Sequence, residues 1–249
     1  MDTPGLHAAL ITGANGGIGA ALCAAFANAG YHVIATDHCA DTRLPYAYLP
    51  LDLSALPRNS SLQDDVLKWV RHALHDHPLR VCVNNAAVQL RGHLEEIEDG
   101  EFQRTFDVNV FAPLVLARLL LPLLEAANGS ILNIGSIHAR ATKPGFVSYA
   151  SSKAALLGLT QALAVDLGPR VRVNAIQPAA VATEMLTDGF SDNPEGYRQL
   201  QRYHPIGRIA EPEEIARMAV FLASPEASFV SGAAIDISGG IACRLHDPD

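Results

Sequence analysis

The sequence is poor in cysteine, in aromatic residues and in charge. Only four of its 249 residues are cysteine, aromatic residues make up 6%, and charged residues make up 18%. Since Cys23, Cys39, Cys82 and Cys243 form no C-x-x-C pair, we expect free thiols and a reducing, cytoplasmic location. The hydrophobic fraction of 49% is large enough to form an extensive core, and the low charge argues against disorder.

Positive charge, histidine clusters and long apolar runs are also lacking. The net charge is −8 with no run of lysine or arginine, which argues against nucleic-acid binding. The ten histidines are scattered, so no metal site is predicted. The N-terminus has no signal-peptide pattern. The longest apolar stretch, Val110 to Leu124, is interrupted by Pro113, Arg118 and Pro122. It predicts a buried helix too short to span a membrane.

Short apolar runs alternate with longer helical patterns along the whole chain. Strands are predicted at 6–12, 31–37, 80–84, 130–135, 171–176 and 234–237, with a further apolar stretch before residue 52. Helices are predicted at 18–29, 62–75, 101–127 (bending near Pro113 or Pro122), 149–167 and 213–223. This alternation predicts an α/β fold. It is a single doubly wound, Rossmann-like domain of residues 1–249, with about seven parallel strands and helices on both faces.

A glycine-rich turn follows the first predicted strand. It reads Thr12-Gly-Ala-Asn-Gly-Gly-Ile-Gly19, and a helix comes directly after it. Glycines let the backbone approach a ligand closely, and the N-terminus of a helix offers free N–H groups to a pyrophosphate. The alternative is a tight turn that binds no ligand. We predict that a dinucleotide is held by Gly13, Asn15, Gly17, Ile18 and Gly19.

The end of the second predicted strand indicates which dinucleotide binds. A carboxylate at Asp37 accepts hydrogen bonds from the adenosine ribose and repels the additional phosphate of NADP. The neighbouring residue is His38 rather than lysine or arginine, and a glycine precedes Gly17. We therefore predict NAD as the cofactor, and an NADPH-dependent carbonyl reductase is the alternative. Asp52 and Leu53 are expected to meet the adenine ring.

A tyrosine and a lysine lie one helical turn apart at the start of the fourth predicted helix. Tyr149 and Lys153 share a helix face, and a nearby ammonium lowers the pKa of a phenol, which makes it usable as a general acid or base. Ser136 follows a strand at the sheet edge where ligands bind, and its hydroxyl would polarise a substrate oxygen. His138 is a further candidate for substrate contact. Taken separately, each of these residues is equally typical of a solvated helix edge or a turn.

Together these motifs resemble the short-chain dehydrogenase/reductase family in its simple, single-domain form, over essentially the whole chain. Two alanines, Ala87 and Ala179, stand where the family usually has glycine, and we expect them to alter cofactor affinity. The matching positions are Thr12–Gly19, Asn84-Asn85-Ala86, Asn109, Ser136, Tyr149 and Lys153.

The resemblance implies an NAD(H)-dependent oxidoreductase acting on a CH–OH group or carbonyl. In such enzymes Tyr149 exchanges the proton and Ser136 orients the substrate. Lys153 lowers the pKa of the tyrosine and holds the nicotinamide ribose, while Asn109 binds a water that links Lys153 to solvent. Thr183 would meet the nicotinamide carboxamide, with a helix N-cap as the alternative. Further cofactor contacts are implied for Asn85, Ala86, Pro178 and Val181.

Residues 184–208 show little periodicity and lie where similar enzymes place a substrate lid. Polar residues near the catalytic set favour a small polar substrate such as a sugar, polyol or hydroxy acid. A non-catalytic nucleotide-binding protein is a remote alternative. Two apolar helices, 101–127 and 149–167, pair across a two-fold axis in similar enzymes, so a homotetramer is expected. The polar residues near the catalytic set are Gln89, Arg91, His93, His138 and Lys143.

Overall fold

Seven parallel strands form one sheet in the computed structural model, which describes residues 7–245. The predicted fold class is confirmed. Leu6, where the first strand is predicted to begin, lies outside the described residues. The order across the sheet is β3-β2-β1-β4-β5-β6-β7. The strands are β1 (Ala8–Thr12), β2 (His32–Asp37), β3 (Ala47–Pro50), β4 (Leu79–Asn84), β5 (Ser130–Ile134), β6 (Arg172–Pro178) and β7 (Ala234–Ile237).

Helices pack on both faces of this sheet, as predicted. Successive side chains of a strand point to opposite faces, so Leu10 of β1 joins one core layer and Ile11 the other. The first layer is completed by α2 and α4, and the second by α1 and α8. The helices are α1 (Gly17–Asn28), α2 (Ser60–Ala73), α3 (Asp99–Phe106), α4 (Ala112–Ala126), α5 (Val147–Leu167), α6 (Glu184–Asp188), α7 (Pro194–Tyr203) and α8 (Pro212–Ala223).

The long helix before β5 is irregular close to one of its two prolines. A π-helical turn, Asp107–Phe111, separates α3 from α4 and ends two residues before Pro113, while the bend near Pro113 or Pro122 stays a prediction. Pro113 lies in the first turn of α4, where a missing N–H is tolerated. Because proline has no N–H, the carbonyl of Asn109, four residues earlier, has no α-helical partner. π-Helical turns of this kind are frequent at functional sites.

The same helical segment is longer than the apolar stretch of residues 110–124, which was predicted to be too short to span a membrane. Asp99–Ala126 forms 28 consecutive helical residues, which by length and composition alone would suffice to cross a membrane. However, 56% of its most apolar window is buried inside the protein, and buried core helices commonly pass this test. Leu116, Leu120 and Leu124 of α4 are fully covered. The segment therefore packs as a core helix in this structure.

The strand order creates a crevice at the carboxyl ends of β1 and β4. From β1 the chain builds β2 and β3 on one side, and then returns to place β4 on the other side of β1. At such a reversal the two loops diverge, and ligands bind between them. Thr12 ends β1 and Asn84 ends β4, so the glycine turn and the Asn84-Asn85-Ala86 segment meet at this point.

Candidate active site

The glycine turn approaches the β4 loop more closely than any larger residue would allow. Gly13 has a positive φ of 65°, and a Cβ built on it would lie 2.7 Å from the Cα of Ala86. A Cβ on Gly19 would lie 1.9 Å from the Gly13 carbonyl oxygen. Both positions therefore require glycine, and the turn holds its backbone open toward the crevice.

Thr12 and Asn85 fix this turn to the end of β4. The Thr12 hydroxyl accepts hydrogen bonds of 3.0 Å from the backbone N–H groups of Asn85 and Ala86. The Asn85 side-chain amide donates to the carbonyls of Thr12 and Gly13, each at 3.0 Å. Asn85 and Ala86 thus lie beside the glycine turn, where the sequence predicts cofactor contacts.

The first turn of α1 fits a pyrophosphate. Its N-cap is Gly16, which has no side chain to accept hydrogen bonds from the N–H groups of the first turn. A Cβ on Gly17 would lie 2.9 Å from Thr183, so the loop after β6 closes over this helix end. Thr183 also caps α6, since its hydroxyl accepts a long hydrogen bond of 3.4 Å from Leu186 N–H. The space between the glycine turn and the loop after β6, here called the cofactor seat, therefore offers free N–H donors to the pyrophosphate of a dinucleotide.

Asp37 ends β2 beside the glycine turn and is buried. One carboxylate oxygen accepts from the backbone N–H of Asn15 at 3.0 Å, and the other contacts His38 Nδ1 at 2.8 Å. The His38 side chain is 76% exposed and carries charge only when protonated. The possible metal-ligand atoms of Asp37, His38 and Cys39 lie within 4.8 Å of one another, a group that was not predicted because no cysteine was expected to lie in a cluster with histidine.

Other predicted cofactor residues lie along the same edge. Asp52 is exposed and accepts hydrogen bonds from the Ser54 backbone and hydroxyl, while Leu53 is buried in the core. Pro178 ends β6, and Val181 forms a parallel bridge to Ala210. The adenine contact of Asp52 and Leu53 stays a prediction.

Ser136 follows β5 and is buried against the end of β6. Its backbone N–H donates to the Gln177 side-chain oxygen at 3.1 Å, and its hydroxyl accepts from His138 N–H at 3.2 Å. Gln177 is 1% exposed, and its amide nitrogen has no partner among the described residues. Gln177 therefore positions Ser136, a role that sequence reasoning missed because the two residues are 41 positions apart.

Tyr149 and Lys153 lie close together on α5, and burial shifts the pKa of both side chains. Lys153 Nζ lies 5.6 Å from the centre of the Tyr149 ring and donates to the Ile134 carbonyl at 2.8 Å. Burial raises the pKa of Tyr149, and a hydrogen bond with Ser136 opposes the rise only in part. In the cofactor-free protein the net direction is therefore upward, and the lowering of this pKa by Lys153 stays a prediction. The ammonium faces a carbonyl, and burial lowers the pKa of Lys153 itself to about 8.

Asn109 lies on the π-helical turn and ties three elements together. Its side-chain oxygen accepts from Val88 N–H at 2.8 Å. Its amide donates to the Val88 carbonyl and to the Ser152 hydroxyl, each at 2.9 Å. The side chain is thus engaged by the β4 loop and by α5, which leaves the backbone carbonyl as the group without an α-helical partner.

A buried amide ladder fixes α5 on the sheet. Asn84 donates to the Asn133 side-chain oxygen at 2.8 Å, and Asn133 donates to the Thr160 hydroxyl at 2.9 Å. Thr160 in turn donates to the Leu156 carbonyl at 2.8 Å, which completes the network. This ladder links β4, β5 and α5, and it fixes the position on the sheet of the helix that carries Tyr149 and Lys153.

The rings of Tyr149, His138 and Phe146 lie against one another and form an aromatic wall. The ring of His138 lies 5.7 Å from that of Tyr149 and stacks on Phe146 at 4.6 Å with an interplanar angle of 6°. Burial lowers the pKa of His138 to about 4, and the positive charge of Lys143 acts in the same direction. His138 therefore presents a neutral ring beside Tyr149, and its contact with substrate stays a prediction.

The region of the predicted lid contains two helices that the sequence reading did not identify, α6 and α7. Their polar side chains interact locally: Arg198 pairs with Glu195 at 2.8 Å, and Asn193 caps α7 by accepting from Gly196 N–H at 2.9 Å. The surrounding surface is largely exposed. Pro194 in the first turn and the Asn193 cap were the available sequence signals for α7.

Comparison with known proteins agrees with this geometry. The sequence model of a family described as enoyl-(acyl carrier protein) reductase matches residues 13–242. Protein FixR of Bradyrhizobium diazoefficiens is 35% identical, with 93% of this chain and 85% of that protein covered. Trans-4-hydroxycyclohexanecarboxylate dehydrogenase of Sinomonas cyclohexanicum is 33% identical, with coverages of 93% and 91%.

Solved structures are similar over nearly the whole chain. Ligand-free aldohexose dehydrogenase of Thermoplasma acidophilum has a TM-score of 0.90, 28% identity, and coverages of 100% and 99%. A protein of Beutenbergia cavernae, described as an NAD(P)-dependent gluconate 5-dehydrogenase and solved with NADP, has a TM-score of 0.84, 31% identity, and coverages of 96% and 97%. A 4-hydroxyisoleucine dehydrogenase with NADH has a TM-score of 0.86, 28% identity, and coverages of 96% and 100%. This chain belongs to the short-chain dehydrogenase/reductase family of oxidoreductases, whose members bind a nicotinamide cofactor.

Proposed function

We propose that this protein is an NAD(H)-dependent oxidoreductase that interconverts an alcohol and a carbonyl on a small polar substrate. The observation that carries the proposal is the assembly of Ser136, Tyr149 and Lys153 at the carboxyl edge of the sheet, beside the glycine turn. A nicotinamide cofactor held beside the glycine turn would supply or accept the hydride. The protein supplies the proton and holds the substrate oxygen.

Three side chains of the protein have separate roles in the proposed reaction. The Ser136 hydroxyl, on a buried residue whose backbone N–H is held by Gln177, holds the substrate oxygen where charge develops. The phenol of Tyr149 donates a proton to that oxygen when a carbonyl is reduced, and removes one when an alcohol is oxidised. Because burial raises its pKa, the free protein holds Tyr149 in the protonated, donating form. Lys153 lies at the ring face, fully buried, and its ammonium is held by the Ile134 carbonyl.

The preference for NAD rests on Asp37. A buried carboxylate at the ribose end of the seat favours two hydroxyls and disfavours a phosphate. Titration of the purified protein with NADH and NADPH tests this preference, and we expect NADH to bind at least about tenfold more tightly. An NADPH-dependent carbonyl reductase is the second candidate, since a protonated His38 would partly neutralise Asp37. Tighter binding of NADPH would establish that candidate instead.

The substrate class is supported by the relatives and by the wall beside Tyr149. The names of three relatives denote hydroxylated acids: hydroxycyclohexanecarboxylate, gluconate and hydroxyisoleucine. We propose that this chain also takes a sugar, polyol or hydroxy acid. A panel of these compounds with NAD, followed by the absorbance of the reduced nicotinamide, tests the activity. Failure of the whole panel despite firm NADH binding would favour a non-catalytic nucleotide-binding protein.

Exposed apolar side chains support the proposed homotetramer. Phe111 beside α4 and Leu114 on it are 38% and 41% exposed, and Val165 of α5 is 84% exposed. Burial of these side chains against a second copy would stabilise an assembly. Light scattering of the purified protein would give the mass of four chains, and a monomeric mass would contradict this proposal.

A further inference from the structure

Two positively charged side chains, Arg91 and Lys143, lie near the Phe146 end of the aromatic wall. Lys143 Nζ lies 4.8 Å from the centre of the Phe146 ring, and that ring is 6.3 Å from Tyr149. The Arg91 segment is joined to the same loop because Gly92 N–H donates to the Gly145 carbonyl at 3.1 Å. Gly92 also forms a parallel bridge with Phe146. The two cationic side chains are therefore brought to one side of the substrate crevice.

Within residues 7–245, neither Arg91 nor Lys143 forms an ion pair with a carboxylate. By contrast, Arg140 on the same connection is paired with Asp236 at 3.1 Å. Burial lowers the pKa of Lys143, and the charge of Arg91 lowers it further, so the two like charges are close enough to repel. Both side chains are open to solvent and accessible to a ligand.

We infer that Arg91 and Lys143 form an anion-binding pair that takes a carboxylate of the substrate. This inference rests on the proposed function and deepens it by naming a charged substrate class. An arginine guanidinium matches a carboxylate with two parallel hydrogen bonds, and the lysine ammonium adds a point charge. A bound carboxylate would also remove the repulsion between the two cations.

The position of the pair limits where the carboxylate lies in the substrate. The reacting carbon must meet Ser136 and Tyr149, whereas Lys143 lies one ring farther out, beyond Phe146. The neutral, stacked His138 and Phe146 rings suit an uncharged connecting segment between the two ends. The substrate is thus an acid whose hydroxyl is several bonds from the carboxylate, and not a 2-hydroxy acid.

The test compares 5-hydroxyhexanoate with 5-hydroxyhexanamide, which has the same shape and no charge, and with lactate. We expect kcat/KM for the acid to exceed that for the amide at least about tenfold, since hydrogen bonds to charged groups act on this scale. Lys143→Gln and Arg91→Gln should each reduce this ratio toward unity, and Lys143→Arg should retain most of it. Arg140→Gln is the matched control, and should leave the ratio unchanged.

Two further readouts separate this inference from the proposed function. NADH binding by each variant establishes that the fold is intact. If no compound is turned over, calorimetric titration of hexanoate and hexanamide into the NADH-loaded protein takes the place of the assay. Hexanoate binding that weakens in Lys143→Gln would support the pair even though the proposed activity had failed. Equal turnover or equal binding of acid and amide by the unaltered protein would overturn the inference.

Discussion

The catalytic side of the crevice and the lid are both rich in polar side chains, but they hold them differently. Ser136, Gln177 and Lys153 are buried and are held by hydrogen bonds that join different elements, Ser136 to Gln177 of β6 and Lys153 of α5 to the Ile134 carbonyl of β5. In the lid, Arg198 and Glu195 are exposed and pair with each other three residues apart. The difference indicates that the fold itself fixes the positions of the buried side chains, whereas the exposed pair in the predicted lid can change with little effect on the rest.

The glycine turn belongs to the buried side, and a methyl group at Gly19 should disrupt it. The added Cβ would lie 1.9 Å from the Gly13 carbonyl oxygen, which forces the backbone to move. We expect Gly19→Ala to weaken NADH binding by about 10- to 100-fold or more, as measured by fluorescence titration. Gly100→Ala on α3 is the control, since a Cβ there would have no atom within 4 Å and Gly100 lies outside the glycine turn. Normal binding by Gly19→Ala would contradict the assigned seat.

The amide ladder tests how strongly buried polar contacts hold the catalytic helix. Asn133→Ala would leave Asn84 and Thr160 without their partners in the core. Because an unsatisfied buried polar group is costly, we expect the free energy of unfolding to fall by about 1–3 kcal/mol. Urea unfolding measures this change. An unaltered midpoint and slope would show that the ladder contributes nothing to stability.

The buried charge of Lys153 should appear in the pH dependence of stability. Burial lowers its pKa from 10.5 to about 8, so between these values the unfolded chain binds more protons than the folded protein. Stability should therefore rise with pH across this window. The raised pKa of Tyr149 acts in the opposite direction above about pH 10.

Lys153→Met isolates this contribution. The unfolding free energy of the unaltered protein, relative to that of Lys153→Met, should increase by on the order of 1–3 kcal/mol from about pH 8 to pH 10. Urea unfolding at successive pH values provides the comparison. A constant or decreasing difference would mean that the ammonium is not destabilised by burial.

A substitution in the predicted lid should have the smallest effect on stability. Arg198 and Glu195 are 58% and 62% exposed, and exposed ion pairs add little to stability. We expect Arg198→Ala to leave the Tm within experimental error, as measured by calorimetry. A large fall in Tm would remove the distinction between the two sides of the crevice.

The sequence predicted the fold and the catalytic set because both depend on local patterns. The glycine turn, Tyr149 with Lys153, and Ser136 after β5 each lie within one short segment, and strand alternation implies the sheet that brings them together. Gln177 and the amide ladder were missed because their partners are 27 to 49 residues away, and no short motif records such contacts.

Burial accounts for what the sequence alone could not give at the candidate site. Spacing placed the Lys153 charge beside the Tyr149 phenol, but the ammonium also reaches the Ile134 carbonyl, and desolvation is the largest influence on both pKa values. The proline positions indicated an irregular helix, and the structure places a π-helical turn just before Pro113. A sequence pattern gives the order of residues along an element, and the tertiary contacts decide where each polar group points.

Tyr149→Phe tests the central claim most directly, since it removes one buried hydroxyl and keeps the ring. The account predicts that the variant binds NADH as the unaltered protein does, while kcat falls by about 100- to 10,000-fold on any substrate that the panel identifies. Retention of most of the activity, with NADH binding intact, would contradict the assignment of Tyr149 as the proton-transfer residue.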